Sequence, residues 1–244
     1  FRLGAAVVFL GVSTSAIALG WAMVAAPLCI LLVRPWRIDR ETVEGVEATP
    51  ARGFLASYVL GSSASQLLLG GAPLGVGALG GGEALRSIIF VTFTLYRAPL
   101  TLIYNLQGRV LSLLVRLDSK ADLRRGVTRL LSVGVVLVAS AGVVGWLVGP
   151  GVVELLFGTE FRPAAMVAAL AAAGVIAGSI TQLMGQALVA TGSTGQLAGA
   201  WVGGLASGLL TMILLGGSPD HRVAVGFLVG ELVALGLAAW RTLR

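Results

Sequence analysis

The stretch SIIFVTFTLYRAPLTLIYNLQG, residues 87–108, is an apolar segment of membrane-spanning length with an arginine near its middle. A transmembrane helix needs about 20 predominantly apolar residues, and this stretch has that length and character. Arginine at the centre of a bilayer costs at least about 2.5–3.5 kcal/mol on insertion scales. Arg97 therefore needs a polar environment inside the protein, and the stretch predicts a membrane helix with one polar face.

Helical spacing identifies that face. Steps of three or four residues from Arg97 bring side chains onto the same side of a helix. The polar side chains reached in this way are Thr94, Thr101, Tyr104 and Asn105. The opposite side of the helix carries only apolar residues. Pro99 predicts a kink, because proline removes a backbone donor from the middle of the helix.

Composition extends the membrane interpretation to the whole chain. Of the 244 residues, 57% are hydrophobic, 11% are charged and 35 are glycine, whereas soluble domains are about 25% charged. The single cysteine and single histidine exclude an intramolecular disulfide and a Cys/His metal site. Basic residues lie at the ends of apolar segments and form no basic domain, which argues against nucleic acid. The sequence thus predicts an all-α, polytopic membrane helix bundle.

Apolar runs and loop charges predict the topology. After the tail of one helix, we expect spans at 14–33, 54–73, 87–112, 128–149, 164–190, 196–216 and 223–240. Lys and Arg number twelve in the loops 34–52 and 109–129 and at the C-terminus, against three in the alternate loops. The positive-inside rule places the richer side in the cytoplasm, so we expect a cytoplasmic C-terminus. The basic segment 113–129 is either an ordinary inner loop or an amphipathic helix that contacts anionic lipid.

Several polar side chains in other spans are candidates for a shared cavity. They are Gln66, with Tyr58, Ser62 and Ser65 on the same face, then Gln182 and Gln186, with Ser179 on theirs, and Glu231. Three explanations of Arg97 stay open: a structural ion pair with Glu231, a cavity for an anionic substrate, or a side chain that snorkels. For the glutamines and serines, hydrogen bonding between helices competes with a ligand role.

Two segments carry a family resemblance. LYRAPLTLIYNLQGRVLSLLVRL (95–117) resembles the eighth span of the polysaccharide-type lipid flippases of the multidrug/oligosaccharidyl-lipid/polysaccharide exporter superfamily. ELLFGTEFRPAAMVAALAAAGVIAGSITQLMGQALVATGSTGQ (154–196) is similar to the ninth-to-tenth-span region of that family. The resemblance implies two six-helix lobes around a central cavity. Residues 1–33 would be the end of span five and span six of the first lobe, 34–53 a cytoplasmic inter-lobe loop, and 54–244 the second lobe.

The resemblance also implies a substrate, a polyprenyl-pyrophosphate-linked oligosaccharide flipped across the cytoplasmic membrane by alternating access. The expected substrate-binding residues are Arg97, Thr101, Tyr104, Asn105, Gln66, Gln182 and Gln186, with Glu231 as the candidate for ion coupling. Arginine suits phosphate oxygens, and amides and hydroxyls suit sugars. We expect no cofactor and no metal. The expected partners are the lipid-linked substrate, membrane lipids and polysaccharide biosynthesis proteins. Since the chain opens without Met inside an apolar run, we interpret it as a fragment.

Two other functions are kept as alternatives. A cation-coupled drug or small-molecule antiporter of the same superfamily would depend on acidic cavity residues such as Glu231. A non-transporting membrane scaffold of a polysaccharide biosynthesis complex would depend on its surface loops instead. An enzyme is not expected, because the glycine-rich stretch 75–86 lacks the lysine of a phosphate-binding loop and no nucleophile–histidine pair is present.

Overall fold

The computed structural model describes residues 51–115 and 120–244. These residues belong to one compact unit, Thr49–Arg244. Within the described ranges the structure is helical and contains no strand, which confirms the all-α prediction. The predicted span at 14–33 and most of the predicted loop 34–53 lie outside the described residues.

The described chain folds into eight α-helices and one short 3₁₀ helix, Thr159–Phe161. The α-helices are α1 (Ala51–Gly70), α2 (Ala72–Ala78), α3 (Glu83–Tyr96), α4 (Ala98–Val115), α5 (Lys120–Phe157), α6 (Ala165–Ala190), α7 (Thr194–Leu214) and α8 (Pro219–Leu243).

The protein is membrane-embedded. Four of the described helices, α5 to α8, are long and apolar enough to cross a bilayer, and the bent pair α1–α2 is a fifth candidate. The outer surface of α5 is apolar, with Leu147 73% exposed and Leu155 83% exposed. Soluble proteins rarely expose large contiguous apolar surfaces, whereas lipid tails solvate such a surface.

Helix α6 is the centre of the bundle. In its most apolar stretch 72% of the residues are buried, against 11% for α5, and it packs against α5, α8 and α4. Its many alanine and glycine residues let neighbouring helices approach closely. The helix ends at Ala190, and Gly192 just beyond it has a φ of 71°, in the left-handed region. There Ser193 N–H donates to the Leu188 carbonyl, so the turn satisfies an end carbonyl of the helix.

Helices α7 and α8 touch along their backbones. A Cβ added to Gly204 would lie 2.6 Å from the carbonyl oxygen of Gly230, and one added to Gly230 would lie 2.8 Å from that of Gly204. One turn along, Gly208 and Gly226 face each other in the same way, at 2.8 and 2.7 Å. Four glycines at four-residue spacing therefore form the contact, a small-residue interface typical of membrane helices.

Two predicted spans are interrupted in the structure. The predicted span 54–73 is helix α1 up to Gly70, after which α2 turns away by 68°. The predicted span 87–112 is not one helix either, because α3 ends at Tyr96 and α4 begins at Ala98. Pro99 is the second residue of α4, where its missing N–H costs little. The expected kink is thus a break at Arg97.

Helix α5 is longer than predicted. It runs from Lys120 to Phe157 without a break and contains Pro150 in its interior, where 128–149 was expected. Its 38 residues correspond to about 57 Å, more than the hydrocarbon thickness of about 30 Å. Residues 120–129 are therefore the first turns of α5 and do not form a separate surface helix. The four residues before Lys120 lie outside the described part.

Candidate functional site

A polar cleft of about 490 Å³ opens between α1, α4, α6 and α7. Its polar lining comes from Tyr58, Ser62, Ser65, Gln66, Tyr104, Gln107, Gln182, Gln186 and Trp201. None of the described side chains that line it is charged. Four of the predicted site residues meet here, Gln66, Tyr104, Gln182 and Gln186, and they come from three different helices. We call this space the polar cleft.

Hydrogen bonds between side chains hold the walls of the polar cleft together. Gln182 Nε2 donates to Ser65 Oγ at 2.7 Å, which joins α6 to α1. Gln107 Nε2 donates to Gln182 Oε1 at 3.5 Å, which joins α4 to α6. Gln66 Nε2 donates to Tyr104 Oη at 3.3 Å. Gln182 is therefore engaged at both ends of its amide and fixes the relative positions of three helices.

Other polar groups of the cleft have no such partner. Gln186 is half-buried, and its amide makes no hydrogen bond with any described residue. The same holds for the side chain of Ser62. Tyr58 stacks on Phe54 with a centroid distance of 6.3 Å, and its hydroxyl also lacks a partner among the described residues. These groups can bind a ligand without first breaking a protein hydrogen bond.

A smaller cleft of about 230 Å³ contains Arg97. Its polar lining is Thr94, Arg97, Thr101 and Tyr104, so most of the predicted polar stripe is brought together. We call it the arginine cleft. Tyr104 lines both clefts. The predicted site residue Asn105 is exposed and lines neither of them.

Arg97 is held beside a helix end. A Cβ added to Gly70, the last residue of α1, would lie 3.3 Å from Nη1 of Arg97. The C-terminal end of a helix carries partial negative charge, which favours a cation there. The guanidinium forms no ion pair and no hydrogen bond with a described residue. The helix end therefore accommodates the charge, and the donors of Arg97 stay available.

Glu231 does not pair with Arg97. Its carboxylate is fully buried in α8 and lies over Gly178 of α6, where an added Cβ would be 2.7 Å from Oε2. Neither of its oxygens has a hydrogen-bond partner among the described residues. The structural ion pair that was one explanation of Arg97 is thus absent from the described part of the protein. Glu231 lines neither cleft.

Sequence reasoning missed Gln107 and Trp201. Gln107 lies one helical step of three residues beyond Tyr104, so the stripe through Arg97 contained the signal. Trp201 is 2% exposed in a run of alanine and glycine, and nothing in its surroundings marks it as part of a cleft. Ser179 was grouped with Gln182, but its hydroxyl is buried and donates to the Val175 carbonyl. It therefore does not face the cleft.

Comparison with known proteins leaves the activity open. No family model matches the sequence, and no solved structure matches it. Uncharacterized proteins from Mycobacterium tuberculosis and Mycobacterium bovis are 30% identical over 235 residues, which is 89% of this chain and 51% of each relative. The chain spans about half the length of these curated relatives. Their names give no activity.

Proposed function

We propose that the protein moves a polyprenyl-diphosphate-linked oligosaccharide across the cytoplasmic membrane by alternating access. Arg97 carries the proposal, because it is a cation with free donors beside two threonines in a cleft of a membrane-embedded bundle. A diphosphate is anionic and does not cross hydrocarbon unaided. The guanidinium offers forked donors that match phosphate oxygens, and the neighbouring polar cleft offers amides and hydroxyls.

The two-lobe architecture belongs to the same proposal. Residues 54–244 would be the second six-helix lobe, with α1–α2 and α3–α4 as two broken spans and α5 to α8 as four continuous ones. Transporters commonly bind substrate near discontinuous helices at the interface between repeats. Both breaks lie at Arg97, which separates α3 from α4 and lies beside Gly70, the last residue of α1. The C-terminus would be cytoplasmic. The relatives are about twice as long as the aligned part, which leaves room in them for a second lobe.

The test is lipid-linked oligosaccharide export in cells that lack their own flippase. Arg97→Ala should reduce transport at least about tenfold at normal membrane abundance, since a charge-assisted hydrogen bond contributes about 1.5–3 kcal/mol. Arg97→Lys should retain part of the activity, because it keeps the charge and loses the fork. Arg109→Ala is the matched control, since Arg109 is exposed on α4 and lines neither cleft. Full activity of Arg97→Ala would contradict the proposal.

A cation-coupled antiporter is the second candidate, and Glu231 favours it. A fully buried carboxyl group without a partner is costly to keep, and intramembrane acidic residues often mark proton relays. In this alternative, Glu231→Gln is the more damaging change and Arg97→Ala the milder one. The two variants measured side by side therefore separate the candidates.

A further inference from the structure

We infer that the polar cleft is a subsite for uncharged sugar residues, distinct from the arginine cleft that would take the diphosphate. The inference rests on the proposed function and deepens it. It assigns different parts of one headgroup to two spaces that the structure keeps separate except at Tyr104.

The lining of the polar cleft favours an uncharged ligand. The described residues that line the polar cleft present amides, hydroxyls and aromatic rings, and none of them is charged. Transfer of an ionised carboxylate from water into such a space costs free energy, and no cation among the described lining residues would offset that cost. An uncharged, hydroxyl-rich ligand loses little, because hydroxyl groups both donate and accept hydrogen bonds with amides. The lining therefore selects neutral sugars over acidic ones.

The glutamines of the polar cleft differ in whether their amides are already hydrogen-bonded. The amide of Gln182 is hydrogen-bonded to Ser65 and Gln107, so it holds the helices that form the cleft wall together. Gln186 lies one helical turn further along α6, lines the same cleft and has no partner among the described residues. A half-buried amide without a partner is an incomplete hydrogen-bonding site. Gln186 is therefore the residue that a sugar hydroxyl would bind.

The size and the aromatic wall of the polar cleft also suit a sugar. The volume of about 490 Å³ lies in the range of about 300–1,000 Å³ that is usual for small-molecule sites. Tyr58, 49% exposed, lines the α1 wall of the cleft. An aromatic ring offers an apolar surface next to polar groups, which suits the C–H faces of a sugar ring. Tyr104, at the junction with the arginine cleft, would mark the point where the diphosphate joins the first sugar.

The experiment measures binding to the purified protein in lipid nanodiscs. The probes are a polyprenyl diphosphate without sugar, the same lipid carrying a neutral disaccharide, and the same lipid carrying a disaccharide that ends in a uronic acid. The neutral disaccharide should tighten binding at least tenfold relative to the sugar-free lipid. The uronic acid should remove most of that gain. Gln186→Ala should also remove most of the gain and leave affinity for the sugar-free lipid unchanged.

Gln196→Ala is the matched control, because Gln196 is exposed on α7 and lies outside the cleft. It should retain the full gain. Equal affinity for the sugar-free and neutral lipids overturns the inference, as does a gain that is the same in Gln186→Ala or with the uronic acid. Absence of binding to any of the three lipids overturns the proposed function, and the inference with it. Weaker binding of the sugar-free and neutral lipids to Arg97→Ala, by the same factor so that the sugar gain is unchanged, supports both.

Discussion

At the scale of single residues, Arg97 and Glu231 occupy opposite surroundings. Arg97 lies at a break between helices, beside the end of α1, with its donors open to a cleft. Glu231 lies in the middle of a continuous helix and is sealed against a glycine of α6. The accessible guanidinium of Arg97 suits an anionic ligand that binds and dissociates. A sealed carboxyl can exchange a proton only when α6 and α8 move apart, so any coupling role for Glu231 requires that motion.

Glu231→Gln tests this role. The amide fills nearly the same volume and carries no charge, so we expect normal membrane abundance and unchanged thermal stability within about 1 kcal/mol. Transport by the variant should no longer respond to a proton gradient imposed across reconstituted vesicles. Glu160→Gln, in the exposed 3₁₀ helix, is the control and should respond normally. If the Glu231→Gln variant still responded to the proton gradient, Glu231 would have only a structural role.

At the scale of elements, close backbone contact decides how the helices pair. Helices α7 and α8 approach through reciprocal glycines, and a methyl group at any of the four positions would meet a carbonyl oxygen within 2.6–2.8 Å. Each helix also contains a glycine with open space around it, Gly199 in α7 and Gly236 in α8. Alanine substitutions at Gly199 and Gly236 are therefore matched controls for the same substitution in the α7–α8 contact.

Gly204→Ala or Gly230→Ala should destabilise the protein by about 1–3 kcal/mol, because the overpacked contact forces the two backbones apart. Gly199→Ala and Gly236→Ala should be neutral or slightly stabilising, since alanine favours helix and meets nothing there. Thermal unfolding in detergent measures all four. Equal effects of the two pairs of variants would mean that helix propensity, and not the α7–α8 contact, sets the stability.

The bend between α1 and α2 depends on a glycine as well. The φ of Gly71 is −81°, so its conformation suits any residue. A Cβ there would nevertheless lie 2.4 Å from the Leu67 carbonyl oxygen, to which Gly71 N–H donates a hydrogen bond with an N···O distance of 2.8 Å. Glycine is required at position 71 because a side chain would not fit, and not because of its backbone conformation.

Gly71→Ala should therefore open the bend and displace the end of α1 from Arg97. We expect lower thermal stability, by about 1–3 kcal/mol, together with weaker transport. Gly53→Ala, near the start of α1, adds a methyl group where nothing lies within 4 Å, and it should match the unmodified protein. If Gly71→Ala behaved like Gly53→Ala, the bend would tolerate a side chain and the geometry at Arg97 would not depend on it.

At the scale of the whole molecule, the length of α7 fits a bilayer. Helix α7 has 21 residues, or about 32 Å, close to the hydrocarbon thickness. Exposed polar residues lie near both ends: Gln196 in its first turn, and Ser218 in the loop that follows it, just before α8. The charge distribution of the loops predicts that the Ser218 end faces outward and the Gln196 end faces the cytoplasm.

Cysteine labelling tests this orientation in a Cys29→Ser background, which removes the single native thiol. An impermeant maleimide applied to intact cells should label Ser218→Cys and leave Gln196→Cys unlabelled, and both should react after permeabilisation. The reversed pattern would invert the proposed orientation. Labelling of both positions in intact cells would contradict α7 as a span.

The sequence by itself determined that the protein is a membrane-embedded helical bundle, because long apolar runs leave the backbone no other way to satisfy its hydrogen bonds in lipid. Its periodicity also placed Thr94, Arg97, Thr101 and Tyr104 on one face, since neighbours on a helix follow from spacing alone. Tertiary structure decided the rest. Spacing along one helix carries no information about which other helix faces it, so only packing could separate Arg97 from Glu231. Packing likewise brought Gln107 and Trp201 into the polar cleft and divided the expected single cavity into two spaces.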